Sequence, residues 1–190
     1  LSDYDIKRFR DVAPQLGLDV VARSGGSIVE DFDGDGHLDI VASSWGLLDQ
    51  LRYFRSNGDG SFQDLTAAAG LLGQVGGLNL CHADYDNDGH RDILVLRGAW
   101  LGRYGHHPNS LLRNMGNGTF ADVTEISGLL SFHPTHSAAW GDYDNDGLLD
   151  LYVGNESDGW ERHPCQLYHN NGDGTFTDVA ADLGVDNVGF

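Results

Sequence analysis

Asp142, Asp144, Asp146 and Asp150 occupy positions 1, 3, 5 and 9 of a nine-residue stretch whose sixth residue is Gly147. Carboxylates this crowded repel by roughly 4 kcal/mol per close pair at an effective dielectric near 20. A folded loop that keeps them together calls for a cation among them. The donors are hard oxygens, with neither Cys nor His at a ligand position, which selects Ca²⁺ over zinc or copper. Gly147 permits the sharp turn that brings early and late ligands onto one ion, as in an EF-hand loop, where the closing acid comes later, at position 12.

The pattern recurs twice, as Asp84, Asp86, Asp88, Gly89 and Asp92, and as Asp31, Asp33, Asp35, Gly36 and Asp39. A single D-x-D-x-D-G arises by chance in an acidic chain. Three copies, each closed by Asp at position 9 and each followed by a β-rich run, are a specific signal, and three Ca²⁺ sites are expected rather than solvated acidic turns.

The formal charge of the 190 residues is −18, and 25 of the 29 acidic residues are aspartate. Twelve of these are the proposed ligands, so three divalent ions would offset a third of the charge. The remaining acidity argues against nucleic acid or an anionic membrane surface as partner, since both need clustered basic residues. There is no apolar run of about 18 residues, so no membrane insertion is expected. The chain starts at Leu1 without Met or an apolar leader, as expected of a processed protein or an excised piece. Cys81 and Cys165 lie in non-equivalent places, and two free thiols are expected rather than a pair.

The elements that must position the loops follow from the repetition, which has periods of 53 and then 58 residues. A second motif runs in phase: Asn57-Gly58-Asp59-Gly60-Ser61-Phe62, Gly116-Asn117-Gly118-Thr119-Phe120 and Asn171-Gly172-Asp173-Gly174-Thr175-Phe176. Such turns are strong hairpin signals, because these residues tolerate positive φ. Each repeat then reads as four short strands. The first precedes the aspartate loop (Ser27–Glu30, Leu80–Ala83, Ser137–Gly141). The second leaves it (Leu38–Ser43, Asp92–Arg97, Leu149–Gly154). The third follows a variable connection (Arg52–Arg55, Ser110–Arg113, Gln166–His169). The fourth follows the glycine turn (Ser61–Leu65, Thr119–Val123, Thr175–Val179).

Four consecutive strands make one propeller blade. The expected fold is all-β, with blades at residues 25–76, 77–133 and 134–190. Residues 1–24 would be the last strand, around Phe9–Ala13, and the tail of a preceding blade. Closed propellers have about 4–8 blades, so three blades are expected to belong to a longer ring or to be completed by assembly.

The combination D-x-D-x-D-G-x-x-D followed by N-x-G-D-G-(T/S)-F-x-D-(V/L)-(T/A) resembles the FG-GAP/VCBS repeat family, which includes integrin α-subunit propellers. The wording of Ala139–Gly147 and Tyr168–Phe176 looks like its bacterial branch, similar to cartilage acidic protein and often accompanied by an ASPIC/UnbV domain. The resemblance covers about residues 9–186. It implies a β-propeller with one Ca²⁺ loop per blade in a secreted or cell-surface protein. It also implies carboxylate ligands at positions 1, 3, 5 and 9 of each loop, and a carbonyl ligand at position 7, which here is His37, His90 and Leu148. Gly34 departs from Asn87 and Asn145 in the other loops, without expected loss of binding.

Other residues admit plainer readings. His106, His107-Pro108 and His163-Pro164 suggest a transition-metal site, but proline that sets the path into the third strand is the simpler account, and His82 and His169 fall at ordinary strand positions. Trp45, Trp100 and Trp160, just past the second strands, either line a surface for a ligand such as a sugar or pack blade against blade, and packing is favoured. Phe62, Phe120 and Phe176 are expected between blades. Asn117 and Asn155 begin Asn-x-Ser/Thr sequons, the first in an accessible turn. No nucleophile turn, H-E-x-x-H or phosphate-cradling loop is present, and a carboxylate engaged with Ca²⁺ is a poor general base. The expectation is a non-enzymatic Ca²⁺ module offering a binding, adhesion or assembly surface to a protein or glycan. Self-association through open blade ends is one alternative, and an enzyme scaffold with its catalytic part elsewhere is another.

Overall fold

The computed structural model describes residues 9–20 and 23–188. A helical turn, α1 (Ala13–Leu16), is followed by three four-stranded antiparallel meanders. The first comprises β1 (Ser27–Glu30), β2 (Asp39–Ala42), β3 (Arg52–Ser56) and β4 (Phe62–Asp64). The second comprises β5 (Asn79–Ala83), β6 (Asp92–Leu96), β7 (Ser110–Asn114) and β8 (Phe120–Asp122). The third comprises β9 (Thr135–Gly141), β10 (Asp150–Asn155), β11 (Gln166–Asn170) and β12 (Phe176–Asp178), and the turn α2 (Ala180–Leu183) closes it. These are propeller blades, with β1, β5 and β9 adjacent in space along one side. Among the described residues no helix is long and apolar enough to cross a membrane.

The core lies between the sheets, not within any one of them. One cluster joins Phe32, Val41, Leu51 and Tyr53 of the first blade to Leu80, Ile93, Leu112 and Phe120 of the second. Another joins Tyr85, Leu94, Leu96 and Leu111 to Leu151, Val153, Tyr168 and Phe176. A sheet flanked on both faces must be apolar throughout, and β6 (Asp92–Leu96), which holds the middle position, is buried at all five residues. Phe120 meets Phe32 and Tyr53 edge-on at ring separations of 6.0 and 5.9 Å, a geometry the aromatic quadrupoles favour. Phe176 packs on Tyr85 and Trp140 in tilted contacts at 5.6 and 6.1 Å. Phe62 is only half-buried, since among the described residues no sheet packs against the outer face of the first blade.

Each repeat's tail reaches forward onto the next blade. The amide of Phe120 donates to the carbonyl of Ala69 at 2.9 Å, and that of Phe176 to the carbonyl of Ser127 at 2.8 Å. The N-terminal segment follows the same plan, since α1 ends in left-handed Gly17, whose Cα backs onto the Phe62 carbonyl, and α2 ends in left-handed Gly184.

Two expectations are corrected. Residues 9–13 form no strand. Phe9 is fully exposed and the chain turns directly into α1, because a strand without a neighbour leaves its amides and carbonyls unpaired. The tryptophans do not pack between blades: Trp45, Trp100 and Trp160 are 49%, 72% and 93% exposed. Trp45 lies under the Arg23 guanidinium at 5.3 Å, and Trp100 faces the ring of His136 at 5.5 Å. Of the two sequons, Asn117 is exposed, whereas Asn155 is buried and bonded to Thr135, Pro164 and Gln166. Cys81 and Cys165 are free.

Candidate metal centres

Each aspartate loop is the hairpin connection between the first and second strands of a blade. The closing aspartate opens the second strand and pairs in register with the residue just before the loop: Glu30 with Asp39, Ala83 with Asp92, and Gly141 with Asp150. The first and ninth loop residues therefore meet at the mouth of the hairpin. Position 4 is left-handed in all three loops, with φ of 74° at Gly34, 57° at Asn87 and 63° at Asn145. Glycine and asparagine adopt that conformation at least cost, so the Gly34 substitution preserves the backbone. Position 6 is always a left-handed glycine, with φ between 87° and 90°.

Asp39, Asp92 and Asp150 are almost completely buried. One oxygen of each accepts the amide of the second loop residue: Phe32 to Asp39, Tyr85 to Asp92 and Tyr143 to Asp150, at 3.2, 3.3 and 3.1 Å. The other oxygen accepts the amide of the last residue of the third strand: Ser56, Asn114 and Asn170, at 2.8, 2.7 and 2.9 Å. In the first blade the Tyr53 hydroxyl adds a further bond to Asp39 at 2.9 Å. Burial pushes the Asp92 carboxyl up to about 7 despite the Asn114 amide, and Asp86 adds repulsion. Burial likewise raises Asp39. A carboxyl this costly to ionise is one that a divalent ion would hold charged.

Donor atoms of Asp31, Asp33 and Asp39 lie within 4.8 Å of one another, as do those of Asp84, Asp86 and Asp92. In the third loop Asp142, Asp144 and Asp146 form one such group, and Asp144, Asp150 and His169 another. These are acidic clusters able to hold a metal. Among the described residues Oδ1 of Asp84 is buried with no hydrogen-bond partner, an orphaned acceptor within the second acidic cluster. The seventh residues His37, His90 and Leu148 stand in the loops with their amides donated to Asp35, Asp88 and Asp146 at 2.9, 2.9 and 2.8 Å.

Two features escaped the sequence reading. Arg55 forks across Asp33 and Asp35, and Arg113 across Asp86 and Asp88 at 2.7 and 3.1 Å. The chain itself thus supplies part of the positive charge that the loops demand, and Asp35 and Asp88 are turned toward guanidinium. In the third blade this place belongs to His169, whose Nδ1 lies 3.3 Å from both Asp144 and Asp150. The second feature is the asparagine that ends the third strand. The side chain of Asn114 donates to the carbonyl of Phe32 in the preceding blade's loop, and that of Asn170 to the carbonyl of Tyr85. Both features recur in phase immediately before the glycine turn, as Arg-Ser, Arg-Asn and His-Asn, and that repetition was the available signal.

Blade-mounted hairpins that each carry a buried closing aspartate define a repeat β-propeller module with acidic loops. Residues 31–95 and 84–153 each match the FG-GAP-like repeat, and the chain belongs to this family. It is also similar to Cartilage acidic protein 1 of Homo sapiens and of Mus musculus, with 27% identity over 175 residues and 83% of this chain covered in each case. The chain spans about a quarter of the length of these curated relatives, 25% and 26%.

Proposed function

We propose that the chain is a non-catalytic, extracellular repeat module whose blades are locked by Ca²⁺ and which presents a binding or adhesion surface. The observation that carries this reading is the convergence of three carboxylates at each hairpin mouth on or beside a buried closing aspartate. Asp31, Asp33, Asp35 and Asp39 would hold the first ion, Asp84, Asp86, Asp88 and Asp92 the second, and Asp142, Asp144, Asp146 and Asp150 the third, with the carbonyls of His37, His90 and Leu148. The ion would supply charge neutralisation, fixing the first strand to the second. Binding to the folded state alone contributes about 2.7 kcal/mol per site at a hundredfold excess over Kd. Three such sites are a large share of a domain's stability. Thermal unfolding in millimolar Ca²⁺ and in EDTA tests the reading: the melting temperature should fall sharply on chelation, and superimposable curves would remove the structural ion.

The surface is best supported at the other end of the strands. Trp45 and Trp100, on equivalent connections of neighbouring blades, flank a cavity of about 550 Å³ also lined by Leu47, Leu78, Ala99 and Leu101. Exposed tryptophan beside a largely apolar hollow suits a protein or glycan ligand.

Self-association is a second reading with its own observation. Phe32 and Tyr85, at loop position 2, are 2% exposed beneath the next blade, whereas Tyr143 is 43% exposed. A neighbouring copy docked on the third blade would cover it. Light scattering over a concentration series, with and without Ca²⁺, should then show a mass that rises with concentration. A constant monomer mass would exclude this reading.

A further inference from the structure

We infer that His106, Glu161 and His163 form a second kind of metal site, for a divalent transition-metal ion of the zinc class, with His133 as a positioning residue. The four come from three segments: His106 from the β6–β7 connection, His133 from the segment between β8 and β9, and Glu161 and His163 from the β10–β11 connection. All lie at the end of the strands remote from the aspartate loops. His163 forms the centre of the cluster, with ring centroids 5.6 Å from His106 and 5.1 Å from His133. A cavity of about 600 Å³ lined by His106, Phe132, His133, Glu161 and His163 gives an ion and its waters access.

The hydrogen bonds fix which nitrogens are free to ligate. Nδ1 of His106 lies 3.2 Å from the carbonyl of Phe132. A carbonyl only accepts, so that nitrogen carries the ring proton and Nε2 of the neutral imidazole keeps its lone pair. That Nε2 stands 3.0 Å from Oε2 of Glu161. Two lone-pair atoms at this distance repel unless a cation or proton lies between them. Nε2 of His163 is 3.6 Å from the same oxygen. Donors bound to one tetrahedral ion at Zn–N distances near 2.0 Å are separated by roughly 3.3 Å, and the two observed spacings bracket that value.

His133 completes the arrangement. Its Nδ1 lies 2.9 Å from Nδ1 of His163. An ion on Nε2 of His163 places the ring proton on Nδ1, where His133 accepts it, the outer partner that a ligating imidazole ordinarily has. Imidazole with one carboxylate suits zinc, whereas the aspartate loops themselves offer hard oxygen, joined only at the third by His169. Among the described residues, every group with three donor atoms within 4.8 Å of one another draws on an aspartate loop, one of them together with His169. The half-exposed His106 and Glu161 must therefore close on the ion, and the affinity expected is micromolar rather than nanomolar.

The test is calorimetric titration of Zn²⁺ into Ca²⁺-saturated protein, with Co²⁺ absorption reporting nitrogen coordination. The expected result is one equivalent bound, with affinity at least tenfold weaker in His106→Ala and in Glu161→Gln. Both residues are half-exposed, so neither change threatens folding. His133→Ala should weaken binding about tenfold, and His133→Asn, whose side-chain oxygen can accept the same proton, should restore it; substituting Asp86 or Asp144 should leave it unchanged. Absence of Zn²⁺ binding at millimolar Ca²⁺, or binding indifferent to His106→Ala and Glu161→Gln, would overturn the assignment and leave the Ca²⁺ reading untouched.

Discussion

The side-chain amide of Asn114 donates to the main-chain carbonyl of Phe32 at 2.7 Å, across the boundary between the first and second blades. The same residue's backbone amide donates to Asp92, and its side chain also reaches the carbonyl of Arg91 at 3.2 Å. One asparagine thus grips the aspartate loop of its own blade and that of the blade before it. Asn170 repeats the arrangement with Tyr85, Leu149 and Asp150. The loops are connected in series.

Replacing Asn114 with Ala should therefore disturb two loops at once. The residue is fully buried, and the orphaned carbonyls should cost about 2 kcal/mol. Calorimetric Ca²⁺ titration of Asn114→Ala should show weakened binding at the first and second sites, with the third intact. Asn170→Ala should spare the first site instead.

Asp86→Ala or Asp144→Ala should abolish one Ca²⁺ equivalent each. The loss of about 2.7 kcal/mol at a hundredfold excess corresponds to a drop of roughly 5–10 °C for a chain of this size. Asp59 and Asp173 are exposed turn residues that only cap Ser61 and Thr175. Their alanine variants should melt within about 2 °C of the parent, as surface changes usually do. Differential scanning calorimetry in millimolar Ca²⁺ distinguishes the two pairs.

Arg113 competes with any ion for Asp86 and Asp88. Arg113→Gln removes one positive charge from the cluster, so Ca²⁺ affinity at the second loop should rise, on the order of threefold to tenfold, while the metal-free protein loses stability. A chelator-competition titration reads the first effect and a melt in EDTA the second. An unchanged affinity would mean that the guanidinium and the ion do not share these carboxylates.

Part of the acid sensitivity should come from the Asp-x-Thr turns after the fourth strands. At Asp64 and Asp122 burial pushes the carboxyl up, but the hydroxyl and amide of Thr66 and Thr124, together with Arg52 at the first and Gln74 and Arg97 at the second, outweigh it and leave both below the ordinary range. A folded-state pKa below the unfolded one stabilises in full above about pH 4, and the contribution is lost as the pH falls through the folded value. Asp64→Asn with Asp122→Asn keeps the acceptor oxygens but removes this titration. Melting temperatures between pH 5 and pH 2 should therefore decline less steeply in the double variant than in the parent.

The repeat, the strand order and the aspartate loops were legible because each is local. Donors from Asp142 to Asp150 sit within nine residues, and the Asn-Gly turns announce their hairpins within four or five. Arg113, which reaches 25 residues back to Asp88, and Asn114, which reaches 82 residues back to Phe32, were invisible to any window of that width. Trp45, Trp100 and Trp160 misled because their placement in phase gives no direction, and the variable connections carry them outward. Phe9–Val12 has the composition of a fourth strand, but pairing is a property of two segments, and α1 alone could be formed locally. His133 was overlooked for a related reason: it sits between repeats, and only the meeting of blades brings it to His163.

The forward clasp of each tail on the following blade, Ala69 to Phe120 and Ser127 to Phe176, shifts the exchangeable piece away from the sheet that the eye picks out. A hybrid spliced after the tail, at Leu71 or Leu129, would set each tail against a foreign glycine-turn strand and break the clasp across the seam. Splicing just after Asp64 or Asp122 would keep each tail with the blade that it clasps, so grafted units should be tolerated there.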